Sequence, residues 1–155
     1  MSWLRRLFGG KPEIDLRPQR LDYLSEALAL ERQGDYDAAL TSYRLALRDK
    51  PDDYLVLQNM AIAYSKTGRV EEAIRAYRRA LDVRPHLAGA HYGLAFLLIK
   101  KGDVSGAEQH LTAFLADPPA GNDGAQWVEH ARRTLEKLRN SSTESEPATP
   151  GESEH

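Results

Sequence analysis

The strongest constraint in this sequence is an internal repeat with a period of 34 residues. Five columns are identical in all three units: Gly34, Gly68 and Gly102; Ala39, Ala73 and Ala107; Pro51, Pro85 and Pro119; Leu47, Leu81 and Leu115; and Ala27, Ala61 and Ala95. Two columns change only in the third unit: Tyr43, Tyr77 and Leu111; and Ala46, Ala80 and Phe114. A fixed period of about 20–50 residues is typical of units that are too small to bury their apolar faces alone and therefore stack on their neighbours.

The pattern within each unit predicts two helices joined by a glycine turn. In the second unit, the apolar residues of the first helix lie at the i, i+3, i+4, i+7 spacing of one helix face: Leu57, Met60, Ala61 and Tyr64. Gly68 ends this helix, because glycine adopts the left-handed conformation of a C-terminal cap without penalty. A second stripe runs from Val70 to Leu81, and Pro85 ends it because proline cannot continue a helix.

These signals divide the chain into six segments. The repeats occupy residues 20–53, 54–87 and 88–121, and residues 1–19 precede them as an amphipathic arm and a linker. Residues 122–140 predict a further helix with an apolar stripe at Val128, Ala131, Leu135 and Leu138. Its opposite face is charged, as the outer surface of a terminal cap must be. Residues 141–155, rich in Ser, Glu, Pro and Thr, predict a disordered acidic tail. The expected fold class is all-α, an α-solenoid of three helix-turn-helix units with a solvating C-terminal helix.

The columns of small residues, glycine, tyrosine, alanine-leucine and proline resemble the tetratricopeptide repeat (TPR) family over residues 20–121. Two positions depart from the pattern. Glu26 stands where the later units have Met60 and Leu94, and Phe114 replaces a small alanine. The resemblance implies a right-handed superhelix whose first helices line a concave groove that binds peptides or partner helices. A solenoid supports such a use, since one helix of each pair forms a continuous wall suited to an extended ligand.

The residues of the first helices that lie off the core stripe are the predicted lining of this groove. They are Leu24, Leu28, Leu55, Gln58, Asn59, Ile62, Lys66, Tyr92, Phe96 and Ile99. Because most are apolar, the predicted partner is an apolar peptide or amphipathic helix of another protein, and the predicted function is that of an adaptor or scaffold. The alternative is structural: neighbours cover Leu28 and Ile62, and Leu24 receives the N-terminal segment.

One TPR subset binds the C-terminal carboxylate of chaperones through Lys, Asn and Arg at fixed places. The corresponding places in this sequence hold Leu24, Leu28, Asn59, Gly89 and Gly93. Without cations the charge-assisted bonds that recognise a carboxylate cannot form. The sequence therefore argues against a carboxylate-binding groove.

Catalysis, cofactor binding and nucleic-acid binding are not expected. The formal net charge is -2 and the pI about 6.2, so no basic surface is indicated. The chain has no cysteine. Its five histidines show no metal-ligand spacing, and no nucleophile or base set converges. We expect His91 at a helix interface and the other histidines at the surface.

The first ten residues form a short basic amphipathic stretch. Trp3, Leu4, Leu7 and Phe8 lie on one side of a helix, with Arg5 and Arg6 on the other. Three uses stay open: contact with a membrane interface, contact with a partner, or binding to an apolar groove, either the chain's own or, with weak self-association, that of a second copy. The first of these makes the protein a membrane-peripheral assembly factor. The absence of a secretory signal and of a long apolar run predicts a cytoplasmic location.

Overall fold

The computed structural model describes residues 22–145, and all regular elements within that range are helices. The helices are α1 (Tyr23–Arg32), α2 (Tyr36–Asp49), α3 (Tyr54–Lys66), α4 (Val70–Val83), α5 (Ala88–Lys101), α6 (Val104–Ala116) and α7 (Asn122–Glu144). They form three antiparallel pairs, one for each unit, followed by α7. The amphipathic arm with Trp3, Leu4, Leu7 and Phe8 lies outside the described residues, as does the end of the predicted tail.

The turn within each pair depends on a glycine in the left-handed region. The φ angles of Gly34, Gly68 and Gly102 are 80°, 76° and 83°. The amide that follows each glycine donates to the carbonyl five residues earlier in the chain. This is the hydrogen bond of a Schellman cap, which satisfies a free carbonyl at the helix end. The three turns predicted from the 34-residue spacing of the glycines are thus confirmed.

Aspartates begin four of the seven helices. The side chains of Asp22, Asp35, Asp53 and Asp103 accept hydrogen bonds from backbone amides in the first turns of α1, α2, α3 and α6. These bonds satisfy amides that have no partner within the helix. The residues before α4, α5 and α7 make no such side-chain bond.

The core is built from the columns of the repeat. The alanine columns 27, 61, 95 and 39, 73, 107 are completely buried, which allows the two helices of a unit to approach closely. Tyr43 and Leu111 are also completely buried, and Tyr77 is 5% exposed. These larger side chains fill the space that the alanines leave open. The all-α solenoid predicted from the sequence is therefore confirmed.

The first helices form one continuous layer. α3 contacts α5 directly, and aromatic side chains of α5 contact α7. Leu24 of α1 and Val56 of α3 line the same surface depression. Because each connection reverses the chain direction, α1, α3 and α5 run in parallel and begin at the same edge of the molecule. None of the described helices has the length and apolar character needed to span a membrane.

The C-terminal helix is longer than the sequence predicted. Ala131 and Leu135 are buried and Val128 and Leu138 are half-buried, as expected for a cap. However, α7 continues through Glu144, so residues 141–144 of the predicted disordered tail are helical. The hydroxyls of Ser141 and Ser142 donate to the carbonyls of Lys137 and Leu138. These side chains bond within the helix instead of competing with it.

Candidate functional site

A cavity of about 480 Å³ opens on the side of the molecule formed by the first helices. We call it the aromatic pocket, and its lining residues are Gln58, Ile62, Tyr77, Gly89, Tyr92, Gly93, Phe114, Pro119 and Trp127. It lies where α3, α4, α5, α6 and α7 meet. None of the lining residues is charged, so the pocket suits apolar rather than ionic groups.

Tyr77 reaches the aromatic pocket because α5 has a glycine beside it. A Cβ atom on Gly93 would lie 2.3 Å from Tyr77 Oη and 2.4 Å from Tyr77 Cζ. The tyrosine ring therefore packs directly on the backbone of α5, in space that any other residue at position 93 would occupy. Burial raises the pKa of Tyr77 to about 12, so the phenol stays neutral in the physiological range. Tyr77, like Phe114 of α6, is thus a residue of a second helix that lines a surface made mostly by first helices.

Gly89 provides a similar close approach for Gln58. A Cβ atom on Gly89 would lie 2.8 Å from Gln58 Nε2, the far end of a flexible side chain. Gln58 Oε1 is buried and has no hydrogen-bond partner in the described part of the chain. Gly89 and Gly93 are four residues apart and therefore lie on one face of α5. Together they bring neighbouring side chains onto the α5 backbone.

Aromatic rings form the walls of the pocket. The Tyr92 ring lies 5.2 Å from the Phe114 ring and 5.4 Å from the Trp127 ring, between centroids. The Tyr92–Trp127 pair is edge-on, a favourable arrangement of the two ring quadrupoles. Trp127 remains 48% exposed although it lines the cavity. Half of its surface is thus available to a ligand.

The sequence predicted that Tyr92 and Phe96 line the open groove. In the structure, α7 covers part of both side chains. The phenol of Tyr92 lies 2.6 Å from His130 Nδ1, and the His130 ring stacks on Phe96 at 4.9 Å with an interplanar angle of 6°. Both residues pack in the cluster that α7 completes with Ala131 and Leu135. The physical reason is that α7 lies beside α5, as the first helix of a fourth unit would. Phe96 therefore contributes to the docking of the cap.

The other predicted lining residues differ in exposure. Leu55 is 49% exposed, whereas Leu24, Leu28 and Ile99 are half-buried against the main core. Lys66 is exposed, and its ammonium lies 5.5 Å from the centroid of the Tyr36 ring. Asn59 is half-buried.

Of the ten predicted residues, the aromatic pocket contains Gln58, Ile62 and Tyr92. Sequence reasoning missed Tyr77, Phe114, Pro119 and Trp127 as lining residues, and it noted Gly89 and Gly93 only for the cations they replace. Two glycines one helical turn apart were the signal. Glycine is costly in a helix interior, where Gly93 lies, so a close approach of another group could have been inferred there.

A pair of histidines lies outside the pocket, between α5 and α6. His91 Nδ1 and His110 Nδ1 are 3.0 Å apart, and His91 Nε2 is 2.7 Å from the carbonyl oxygen of Pro85. Because a carbonyl can only accept, His91 carries its proton on Nε2, and His110 donates from Nδ1. His110 is half-buried, which corrects the expectation that it lies at the surface. Burial and the neighbouring His91 hold the pKa of His110 below its usual value.

Within residues 22–145, no three side chains of His, Cys, Asp or Glu converge. The phenol of Tyr43 donates to Glu31 Oε2 over 2.8 Å, and burial raises the pKa of Tyr43. That contact joins α1 to α2 within the first unit. The lining of the aromatic pocket itself is apolar and neutral.

Two protein-family models match the chain. One is described as a tetratricopeptide repeat and matches residues 30–76, and the other is described as a TPR repeat and matches residues 63–102. The two matches overlap within α3 and α4. They therefore cover the middle of the solenoid continuously.

Curated relatives share part of their length with this chain. The peroxisomal targeting signal receptor of Eremothecium gossypii is 30% identical over 111 residues, which is 72% of this chain and 19% of the receptor. The photosystem I assembly protein Ycf3 of Parasynechococcus marenigrum is 36% identical over 86 residues, which is 54% of this chain and 50% of that protein. The chain thus spans about a fifth of the receptor and half of the assembly protein.

A solved structure shows the same fold at low sequence identity. The type III secretion chaperone SycD of Yersinia enterocolitica, in complex with a peptide of the translocator YopD, superposes with a TM-score of 0.73 at 16% identity. The superposition covers 77% of this chain and 92% of SycD. The helix pairs and their stacking are therefore common to both proteins.

Proposed function

Because this chain belongs to the tetratricopeptide-repeat family, we propose that it is an adaptor whose concave face holds a peptide or an amphipathic helix of a partner protein. The first helices α1, α3 and α5 provide the wall, and the aromatic pocket anchors an apolar side chain of the partner. Leu55 extends this apolar surface at the start of α3, and Leu24 and Leu28 extend it along α1.

The observation that carries this proposal is the exposed, uncharged aromatic pocket. Its walls include Trp127, which keeps nearly half of its surface exposed, although burying a side chain of that size is favourable. Contiguous apolar surfaces of this kind mark binding sites in soluble proteins. An amphipathic helix or extended peptide binds such a groove by inserting a few apolar anchors.

The chemistry of the wall also limits the partner. Gly89 and Gly93 stand where cations would be needed to bind a carboxylate, and both instead receive neighbouring side chains. Recognition therefore depends on apolar contacts rather than on a terminal carboxylate. We expect partner binding to weaken little when the salt concentration rises.

The relatives are consistent with this role. SycD is a chaperone that was solved with a peptide of YopD, and the peroxisomal protein is a receptor for a targeting signal. Ycf3 is an assembly protein. Of these three, SycD was solved with a bound peptide, and peptide binding is the role proposed for this chain.

The test is affinity capture from the cell that produces the protein, with three versions of the full chain as bait. The first is the wild type, and the second carries Leu55→Glu with Trp127→Glu. Both residues are about half exposed, and because Trp127 also contacts Tyr92, a thermal melt equal to that of the wild type must show that α7 stays docked in this bait. Losing one apolar anchor costs about 1.5–3 kcal/mol, so we expect partner recovery to fall at least about tenfold.

The third bait is a matched control with Val83→Glu and Val104→Glu. These valines are 42% and 36% exposed, and they lie on α4 and α6, the second helices of their units. The control should recover the partner as the wild type does. Equal recovery by all three baits would contradict the proposal. Phe96 is unsuitable for this test, because its substitution would also disturb the docking of α7.

A further inference from the structure

The aromatic pocket has an apolar lining but, within residues 22–145, no segment of the chain that fills it. Two segments of the chain lie outside the described residues and could reach its surface. We propose that the N-terminal arm, residues 1–8, occupies the aromatic pocket of its own chain and is displaced by the partner segment. This inference rests on the proposed function of the pocket. It adds that the arm competes with the partner segment for the same pocket.

The composition of the two segments favours the arm. Besides Met1, it offers four bulky apolar side chains, and it has no acidic residue: the four are Trp3, Leu4, Leu7 and Phe8. The C-terminal segment 146–155 offers three glutamates and no apolar residue larger than proline. An uncharged pocket walled by aromatic rings accepts the first composition and rejects the second. If the arm binds as a helix, the sequence pattern puts Arg5 and Arg6 on the side opposite the apolar residues, where they would stay in water.

The position of the pocket along the helices also favours the arm. Gln58, Gly89 and Trp127 lie in the first two turns of α3, α5 and α7, so the pocket lies toward the edge where the first helices begin. Asp22, the first described residue, caps α1 at that same edge. The arm therefore joins the folded part of the chain on the side where the pocket opens.

The linker between the arm and α1 is long enough. Packed helices lie about 8–10 Å apart, so α1 and α5 are separated by about 20 Å when α3 lies between them. Residues 9–21 can span up to about 45 Å when extended. The arm can thus reach the pocket without any change in the solenoid.

The linker also allows the arm to bind weakly and still compete. A short flexible connection gives an effective concentration in the millimolar range. An arm with an intrinsic dissociation constant of about 1 mM would therefore occupy the pocket about half of the time. A partner segment that binds in the micromolar range would displace it and would lose only about twofold in apparent affinity.

The absence of cysteine from the sequence makes a direct test possible. Ser2→Cys in the full chain provides a single site for a nitroxide spin label, and ¹⁵N NMR detects the nuclei that the label approaches. We expect the label to broaden the backbone amides of Gly89 and Gly93 and the indole N–H of Trp127. The amides of Ala38 and Leu45, on the outer side of the first unit, should stay sharp.

Three variants of the labelled chain identify the contact. Trp3→Ser with Phe8→Ser removes two anchors and should abolish the broadening. The matched control, Ile14→Ser with Leu16→Ser, removes two apolar side chains from the linker and should leave the broadening unchanged. Gly89→Leu places an apolar side chain at the pocket, and its Cβ atom meets only the flexible end of Gln58; this variant should also abolish the broadening.

Four outcomes would overturn the inference. Broadening centred on Ala38 and Leu45 would mean that the arm covers the first unit. A second sample mixes a ¹⁵N chain that carries no nitroxide with a nitroxide-carrying chain that has no ¹⁵N. Broadening of the pocket signals in this mixture would assign the pocket to the arm of a second copy. An unaffected pocket, with or without co-sedimentation of the full chain with anionic phosphatidylserine vesicles, would also exclude the arm as its occupant.

These outcomes are separate from the test of partner binding. Suppose that Leu55→Glu with Trp127→Glu abolishes partner capture while the spin label leaves the pocket sharp. The adaptor function would then stand and the arm inference would fall. If the label broadens the pocket but the same double variant still captures the partner, the pocket holds the arm and the partner binds elsewhere.

Discussion

Tyr43 and Tyr77 occupy the same position in successive units but have different surroundings. The Tyr43 phenol donates to Glu31, whose second carboxylate oxygen is buried without a partner in the described residues. In the second unit, Ser65 stands in the place of Glu31 and is too short to reach. Tyr77 Oη accordingly has no hydrogen-bond partner within residues 22–145 and lines the aromatic pocket. The same repeat position thus makes a hydrogen bond between the two helices of the first unit and lines the aromatic pocket in the second.

Removing the two hydroxyls should therefore have unequal effects. Tyr43→Phe leaves a half-buried carboxylate without its donor, and we expect the free energy of unfolding to fall by about 1–3 kcal/mol. Tyr77→Phe, the matched change, should cost less than about 0.5 kcal/mol. Urea denaturation followed by circular dichroism measures both. Equal losses would mean that the bond to Glu31 contributes little.

The histidine pair predicts that stability depends on pH. His110 faces His91 on α5, Arg78 on α4 and Asp103 before α6, and its pKa in the folded protein lies below the unfolded value of about 6.5. The folded state therefore binds fewer protons than the unfolded state in mildly acidic solution. The contribution of His110 to stability is complete above about pH 7.5 and decreases as the pH falls through 6.5.

We expect a lower melting temperature at pH 5.5 than at pH 7.5, and a smaller difference in His110→Asn. Asparagine can donate toward His91 as the imidazole does but cannot take up a proton. Thermal melts of the two proteins at both pH values provide the comparison. An unchanged difference in the variant would assign the pH effect to other groups.

At the scale of the helix, one of the three second helices begins differently from the other two. Asp35 and Asp103 cap α2 and α6 through their side chains, but the same repeat position before α4 holds Arg69. Arg69 makes an exposed ion pair with Asp37 at 3.4 Å, and such pairs contribute little. The start of α4 thus lacks an interaction that the other two units have.

Arg69→Asn should supply the missing cap. A good capping side chain contributes about 1 kcal/mol, and the lost ion pair takes away at most about half of that. We expect the melting temperature to rise by about 2 °C. Arg69→Ala, which loses the ion pair without adding a cap, should not raise it. A rise in both variants would attribute the gain to removal of the arginine rather than to capping.

At the scale of the whole molecule, each unit packs mainly on its neighbours. The two terminal units lack a neighbour on one side, and their apolar faces must be covered by other means. α7 covers one end, where it buries Phe114 and shields Tyr92 and Phe96. The first unit has Glu26 exposed on α1, at the position where the later units bury Met60 and Leu94. The two ends are thus protected by different means: a covering helix at one and a polar side chain at the other.

Deleting residues 122–155 should therefore be much more damaging than deleting residues 146–155. The longer deletion exposes aromatic side chains that each contribute about 1.5–3 kcal/mol when buried, and three units are near the minimum for a stable solenoid. We expect the shorter product to aggregate or melt at a much lower temperature. Thermal melts and size-exclusion chromatography distinguish the two proteins. Equal melting would mean that α7 does not stabilise the third unit.

The sequence predicted the helices better than the site because the two depend on different information. The turns at Gly34, Gly68 and Gly102 and the buried alanines are local or periodic features, and a single period reveals them. The path of α7 across Tyr92 and Phe96 depends on how a non-repeating helix docks, which no column of the repeat records. The contact of Tyr77 with Gly93 joins two helices across units, so neither residue alone indicates it.

The three turn glycines allow the cooperativity of unfolding to be measured with three equivalent substitutions. Nothing lies within 4 Å of the position that a Cβ atom would occupy on Gly34, Gly68 or Gly102, so alanine at each position carries only the cost of a left-handed backbone, about 1–2 kcal/mol. The same disturbance can thus be applied at three evenly spaced points. Equal shifts of the denaturation midpoint would indicate that the solenoid unfolds as one body, and graded shifts would give the order in which its units separate.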